Sequence, residues 1–296
     1  MKNIDKLNDA FYKIQCMNWI KSMGKGYSAA GKTLENVLGK KDDCDSLPDF
    51  DGIELKTKMD GADSYIGLVS MVPDSEPLLI NRLLNNYGWS SRKDKNFKVF
   101  YAQIYGNVFN SVGYYFSYKL FVNYDLKRVE LLIKNNFTCD IDSRISWSFE
   151  QISLRLNKKL TLLALFNVKK FYVPEKDSIY FKYYKMTVYK FKCLDSFLSA
   201  IENGYVRMNI KISFYDKEPY YGKLHNKGTT FEIMEENLTE IFDVVNLEWP
   251  KGLQNFRQKK YHAWWYDLAL VEKTGFEPAT PWSQTKCTTK LCYFSI

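Results

Sequence analysis

The stretch Pro48-Asp49-Phe50-Asp51-Gly52-Ile53-Glu54-Leu55-Lys56 decides how this 296-residue chain is read. Ile53 and Leu55 are apolar, and Glu54 and Lys56 are charged. That alternation of period two predicts a strand over 53–58. Glu54 and Lys56 then leave the same face, two residues apart. Asp49 lies in the turn before the strand and can fold back beside them. Two carboxylates can hold Mg²⁺, and a neighbouring ammonium can orient a water for attack on phosphorus. A surface turn and an edge strand with solvated charges would give the same string, so the rest of the chain must decide. Asp51 and Lys58, close by, are read as solvated.

Upstream, Ile4, Leu7, Phe11 and Ile14 recur at helical spacing and predict an amphipathic helix, broken by Gly24 and Gly26. A second helix starts near Ala30, carries Glu35 and stops at Gly39. Downstream, a strand is expected over 65–71 and a helix over 78–87. Residues 114–124 and 128–133 flank the Asp125-Leu126-Lys127 turn as a hairpin. Helix 149–159, strands 160–168 and 179–191, and helix 194–203 follow. Then come strand 207–215, a loop over 222–228, and short strands at 229–233 and 241–245. Strands mixed with helices, without an internal repeat, give an α/β or α+β domain over residues 1–245.

Hydrophobic residues make up 46% and charged residues 26% of the chain, as in an ordinary globular protein. The formal net charge of +8 suits a polyanionic partner, with the positive charge dispersed as a folded cleft allows. Cys16, Cys44, Cys139, Cys193, Cys287 and Cys292 form no CxxC pair. With only His225 and His262 beside them, no zinc set assembles. No signal-peptide h-region and no apolar run of membrane-spanning length is seen, so a cytoplasmic protein with no membrane association is expected.

Gly26-Tyr27-Ser28-Ala29-Ala30-Gly31-Lys32-Thr33 matches the phosphate-binding string G-x-x-x-x-G-K-[ST]. The context is wrong: no buried apolar strand precedes the first glycine, and no strand ending in a magnesium-binding Asp follows. A different reading joins Gly31-Lys32-Thr33-Leu34-Glu35 to Pro48-Asp49-Phe50 and Gly52-Ile53-Glu54-Leu55-Lys56-Thr57. In that order and spacing the chain resembles the MvaI/BcnI-type restriction endonucleases, which stand with MutH among nucleases of the PD-(D/E)xK type. Asn81-Arg82 with Tyr87-Gly88, Trp147-Ser148-Phe149, and Ile201-Glu202-Asn203-Gly204 extend the resemblance. So does Gly222-Lys223 with His225 and Gly228-Thr229-Thr230-Phe231, taking it to about Val245.

The resemblance implies a MutH-like fold, a central mixed sheet flanked by helices, and Mg²⁺-dependent hydrolysis of double-stranded DNA. Asp49 and Glu54 would hold the metal together with the main-chain carbonyl of Leu55. Lys56 would sit by the attacking water. Glu35 would be the additional acid, positioning a second metal or holding Lys56. Lys211, Lys223, His225, Asn226, Lys227, Thr229 and Thr230 would contact DNA, some at base edges and some at phosphates. The family carries a second histidine where Lys227 stands, and arginines where Lys211 and Glu232 stand. A glutamate cannot donate to guanine O6 or N7, so a CC-x-GG type target does not carry over. The resemblance further implies a monomer cutting the strands in successive events, with a DNA methyltransferase protecting host sites. A MutH-like strand-nicking repair endonuclease and a DNA-binding relative with impaired cleavage are the alternatives.

The pattern degrades over 246–296. Gly275-Phe276-Glu277-Pro278 is what GGATTCGAACC, the complement of a tRNA T-arm, encodes in one frame. Residues 272–296 are therefore read as translated antisense tRNA sequence, which leaves Cys287 and Cys292 without redox meaning.

Overall fold

Local periodicity gives most of the elements, and a computed structural model describes residues 2–26, 28–40, 47–75 and 79–246. Of the expected tail, 246–296, residues 247–296 lie outside the described residues. In chain order the elements begin with α1 (Lys2–Met17), β1 (Ile20–Lys21), α2 (Ala29–Val37), β2 (Ile53–Met59) and β3 (Ile66–Ser70). Next come α3 (Leu79–Arg82), continued by a wider π turn at Leu83–Tyr87, then β4 (Trp89–Ser90) and β5 (Lys98–Ile104). An antiparallel run follows: β6 (Asn110–Ser111), β7 (Phe116–Asn123), β8 (Arg128–Asn135) and β9 (Ile141–Ser148). The rest is α4 (Phe149–Leu160), β10 (Leu162–Val173), β11 (Ser178–Phe191), α5 (Leu194–Glu202), β12 (Val206–Phe214), β13 (Leu224–Ile233), α6 (Leu238–Ile241) and β14 (Phe242–Val245).

The chain divides into two units. The first takes Met1–Ala62, Leu162–Tyr189 and the residues from Val244. Its sheet runs β1-β11-β10-β2. β2 lies parallel to β10, with Leu55 opposite Ala164, whereas β1 is antiparallel to β11. This is the mixed sheet with helices that the resemblance implies. Leu7, Phe11 and Ile14 of α1 and Ala30 and Leu34 of α2 bury against Ile53, Leu55 and Phe166. Each of the Leu, Ile and Phe side chains contributes about 1.5–3 kcal/mol on burial. Because Ile53 and Leu55 point into this core, Glu54, Lys56 and Lys58 are sent to the opposite face of β2.

The second unit takes Asp63–Thr161 and Lys190–Asp243. One sheet runs β3-β13-β12-β5-β4, and a second, antiparallel, runs β6-β7-β8-β9. The expected hairpin is β7 with β8, Leu120 opposite Leu131. Trp147, Phe197 and Phe231 are fully buried and pack edge to face in the core. Two expectations fail here. Part of the 222–228 loop is strand: β13 begins at Leu224, and a register shift between Ile210 and Ile212 of β12 accommodates the glycine-bearing stretch. β9 was not anticipated, because Asp142, Ser143 and Arg144 give its first half no apolar alternation.

Several of the sequence blocks are structural. Arg82 Nη2 and Tyr87 Oη each donate to Asp142 at 2.6 Å, tying the π turn to β9. Ser148 caps α4 by accepting the Gln151 N–H at 3.3 Å. The Ile201–Gly204 block ends α5 against residue 106, where a Cβ would lie 2.1 Å from the Ile201 carbonyl oxygen. Only glycine permits that approach. Among the described residues no helix is long and apolar enough to cross a membrane.

Candidate active site

The spacing between Asp49 and Glu54 is the geometry of a two-residue hairpin turn. Phe50 and Ile53 exchange both main-chain hydrogen bonds, at 2.9 and 2.8 Å. Between them Asp51 has φ 44° and Gly52 φ 87°. Positive φ at both central positions is what an Asp-Gly pair supplies in such turns. The turn lays Asp49 alongside the start of β2, and Asp49 Oδ2 accepts the Leu55 N–H at 3.0 Å. In a strand, one residue's N–H and C=O point to the same side. The Leu55 carbonyl therefore faces the side on which Asp49 sits, away from β10. Among the described residues β2 is the outermost strand of its sheet, which leaves that side of its backbone open.

Glu54 is 1% exposed, and its Oε1 accepts from Lys56 Nζ at 2.6 Å. Asp49 Oδ1 accepts from Lys40 Nζ at 2.6 Å. Burial by itself pushes the Asp49 carboxyl upward. The Lys40 and Leu55 hydrogen bonds, with the charges of Lys40 and Lys56, outweigh it and hold the group below the ordinary carboxylate range. Asp49 therefore stays ionised, and Lys56 acts on both acids. Lys40 was missed: it follows the glycine stop of the second helix and belongs to none of the motifs read from the sequence. Its signal is position, directly after the glycine that ends α2.

Lys58, expected to be solvated, is 8% exposed. It shares the face of Glu54 and Lys56, where the strand is covered. Asp51 is exposed as expected and pairs with Lys6 at 2.7 Å. Glu35 reaches β2 from the helix side. A Cβ built at Gly31 would lie 3.9 Å from Glu35 Oε1 and 3.8 Å from Thr57 Oγ1, and Thr57 leaves the face opposite to Glu54. Lys56 is held by Glu54. Among its described residues the Gly26–Thr33 string forms no phosphate cradle. Thr33 is fully buried; its hydroxyl donates to the Ala29 carbonyl at 2.7 Å and accepts the Met23 N–H at 3.0 Å. β1 before it is two residues long.

Among the described residues no three His, Cys, Asp or Glu side chains gather as a metal cluster. The donors available for a cation are the Asp49 and Glu54 carboxylates and the Leu55 carbonyl. All are hard oxygens, the chemistry Mg²⁺ takes, with the remaining positions left to water and substrate.

The residues expected to contact DNA lie on the second unit. Arg207, Asn209, Lys211 and Ser213 leave one face of β12, and His225, Thr230 and Glu232 of β13 pair across from it. Lys211 is exposed opposite Tyr101, beside a hollow of about 260 Å³ that Gln103, Asn110 and Asn209 also line. The His225 ring stacks on Tyr215, centroids 4.0 Å apart and 5° from parallel. Asn226 is exposed, Lys223 lies 5.2 Å over the Tyr220 ring, and Thr230 Oγ1 is 2.9 Å from Ser70 Oγ. Thr229 departs from the set: it is 5% exposed, opposite Ile210, on the buried face. The Lys227 side chain lies outside the described residues; its backbone belongs to β13. Glu232 is engaged within the sheet, accepting from Arg207 at 3.1 Å and from Asn209 at 2.7 Å. Arg207 in turn lies 3.2 Å from the Tyr65 ring centre.

A model of the MvaI/BcnI restriction endonuclease family matches residues 8–242. A solved structure described as a restriction endonuclease MvaI–cognate DNA substrate complex is similar at TM-score 0.77 and 27% identity, covering 83% of this chain and 98% of that one. A second, MvaI in the absence of DNA, shares the fold at TM-score 0.53 and 24% identity, covering 83% and 97%. No curated protein matches the chain. The family match spans both units and contains the Asp49 turn, β2 and the β12–β13 face, and by it the chain belongs to the MvaI/BcnI restriction endonuclease family, the type II site-specific DNA endonucleases.

Proposed function

We propose that this endonuclease hydrolyses double-stranded DNA with Mg²⁺ at the site formed by Asp49, Glu54, the Leu55 carbonyl and Lys56. The observation that carries the proposal is the Asp49–Leu55 hydrogen bond, which brings the turn acid onto the strand bearing Glu54 and Lys56. Asp49 and Glu54 supply two negative charges, and Leu55 a third oxygen. Bound there, Mg²⁺ would supply Lewis acidity toward the scissile phosphate and favour loss of a proton from the attacking water. Lys56 orients that water and offsets charge developing on the phosphate. Glu35, beside Thr57 on the helix side of β2, is not on the face that carries Glu54 and Lys56, and no step is assigned to it. No covalent intermediate with the protein is needed, and neither histidine serves as general base.

Lys211 and Lys223 contact phosphates, and His225, Asn226, Lys227 and Thr230 read base edges. Thr229 supports β13 from its buried side. Glu232, bound by Arg207 and Asn209, stands where the family has an arginine, so a CC-x-GG target does not carry over to this chain. The enzyme acts as a monomer, beside a DNA methyltransferase that protects the host.

The test is cleavage of a random-sequence plasmid library with Mg²⁺ or with EDTA, followed by mapping of the ends. Cutting at one sequence, only with Mg²⁺, is expected. DNA left intact and un-nicked with Mg²⁺ would reject the nuclease reading. Nicks without double-strand breaks would favour a strand-nicking enzyme.

A further inference from the structure

The sequence assigns no role to Lys40, yet the fold delivers it to the reacting acids. Gly39 has φ +76°; its N–H donates to the Asn36 carbonyl at 3.0 Å, and the Lys40 N–H to the Glu35 carbonyl at 2.9 Å. These two bonds are the glycine-terminated helix ending that reverses the chain. The reversal sends the Lys40 ammonium to Asp49 Oδ1, 2.6 Å away, with the two side chains 18% and 17% exposed. Asp49 is thus held on both oxygens, Oδ2 by the strand and Oδ1 by Lys40. An exposed ion pair would mean little, but this one is largely withdrawn from water, on a residue with a proposed ligand role. A divalent cation and an ammonium cannot both crowd one carboxylate oxygen without strong repulsion.

We propose that Lys40 is a positioning residue whose ammonium occupies the cation side of Asp49 before metal binds. It holds the carboxylate in place and sets cation affinity by competition. The inference rests on Asp49 being a metal ligand, the reading proposed above. Loading requires the ammonium to swing away from Oδ1, and the chain reversal at Gly39 keeps it near enough to return when the cation leaves.

The test is calorimetric titration of the full chain with Mn²⁺, without DNA, together with thermal melting in EDTA. Lys40→Met should bind Mn²⁺ about tenfold more tightly, since each 1.4 kcal/mol of competition removed is a factor of ten. It should also melt about 3 °C lower in EDTA, with the gap closing as Mn²⁺ is added. Lys40→Arg, which keeps the charge, should retain the parent affinity within about twofold. Lys40→Gln makes the same charge change with a hydrogen-bond donor for Asp49 retained, and should also tighten binding. Neutral variants that fold but bind Mn²⁺ no more tightly than the parent would overturn the proposal. Asp49→Asn separates the two levels: it should abolish binding with or without Lys40. Parent-like binding by Asp49→Asn would remove the metal reading itself, whatever the Lys40 variants do.

Discussion

Replacing Lys56 by methionine should destabilise the metal-free protein, because buried Glu54 loses the ammonium 2.6 Å from its Oε1. Glu54 is 1% exposed. Methionine keeps the apolar stem of lysine, so the change removes charge more than packing. Breaking one side of a buried pair costs about 3–5 kcal/mol. Lys56 is 26% exposed, and water screens part of that, leaving about 2–4 kcal/mol. With a urea m-value of about 2–3 kcal/mol/M, the midpoint should fall by about 1 M at unchanged slope. Unfolding in EDTA, followed by far-ultraviolet circular dichroism and tryptophan fluorescence, measures it. Glu54→Gln combined with Lys56→Met removes both charges and should recover most of the loss. A Lys56→Met midpoint equal to the parent's, or a double variant as unstable as the single one, would refute the buried-pair reasoning.

Asp142→Asn should cost about 2–3 kcal/mol at pH 7, because charge-assisted hydrogen bonds from Arg82 and Tyr87 are weakened. Burial alone would push the Asp142 carboxyl upward, but its bonds to Arg144, Tyr87 and Arg82 hold it far below the ordinary carboxylate range. A depressed folded-state pKa gives stability that is present above the unfolded value and lost as pH falls. The difference between parent and variant should therefore narrow below about pH 4 in urea melts. Gly31→Ala should stabilise the protein by about 0.5–1 kcal/mol, as alanine replaces glycine inside a helix. Its Cβ would find only ordinary contacts, at 3.8 and 3.9 Å. Cleavage should survive this change, whereas a phosphate-cradling glycine would not tolerate it.

The strand carrying the candidate site was legible because its alternation is strict: Ile53 and Leu55 on one face, Glu54 and Lys56 on the other. Asp49 was also expected in a turn that folds back beside the strand, and the positive-φ pair Asp51-Gly52 supplies that turn. α1, α2, α4 and α5 followed from apolar spacing and glycine stops. β9 was illegible because Asp142 accepts from Arg82, Tyr87 and Arg144 rather than joining the core. The 222–228 segment looked like a loop because Gly222 and Gly228 obscure a register that the shift at Ile210 and Ile212 restores. Within the candidate site, Asp49, Glu54 and Lys56 could be named from spacing. Lys40 could not, since its ammonium reaches Asp49 only through the left-handed turn at Gly39. Thr229 was misjudged for a related reason: its side chain faces Ile210, a consequence of register rather than of residue type.

We propose that Asp49 and Lys56 perform the cleavage chemistry and do not hold the DNA. Single-turnover cleavage of a mapped site by Asp49→Ala and Lys56→Ala, with binding of the same DNA measured in Ca²⁺, tests it most directly. Losing several kcal/mol of transition-state stabilisation should lower the rate by about 10³-fold or more in each variant. DNA affinity should stay within about threefold of the parent's, since each variant changes one of the many charges a duplex meets. Cleavage retained by either variant would place the active site elsewhere in the chain and contradict the account.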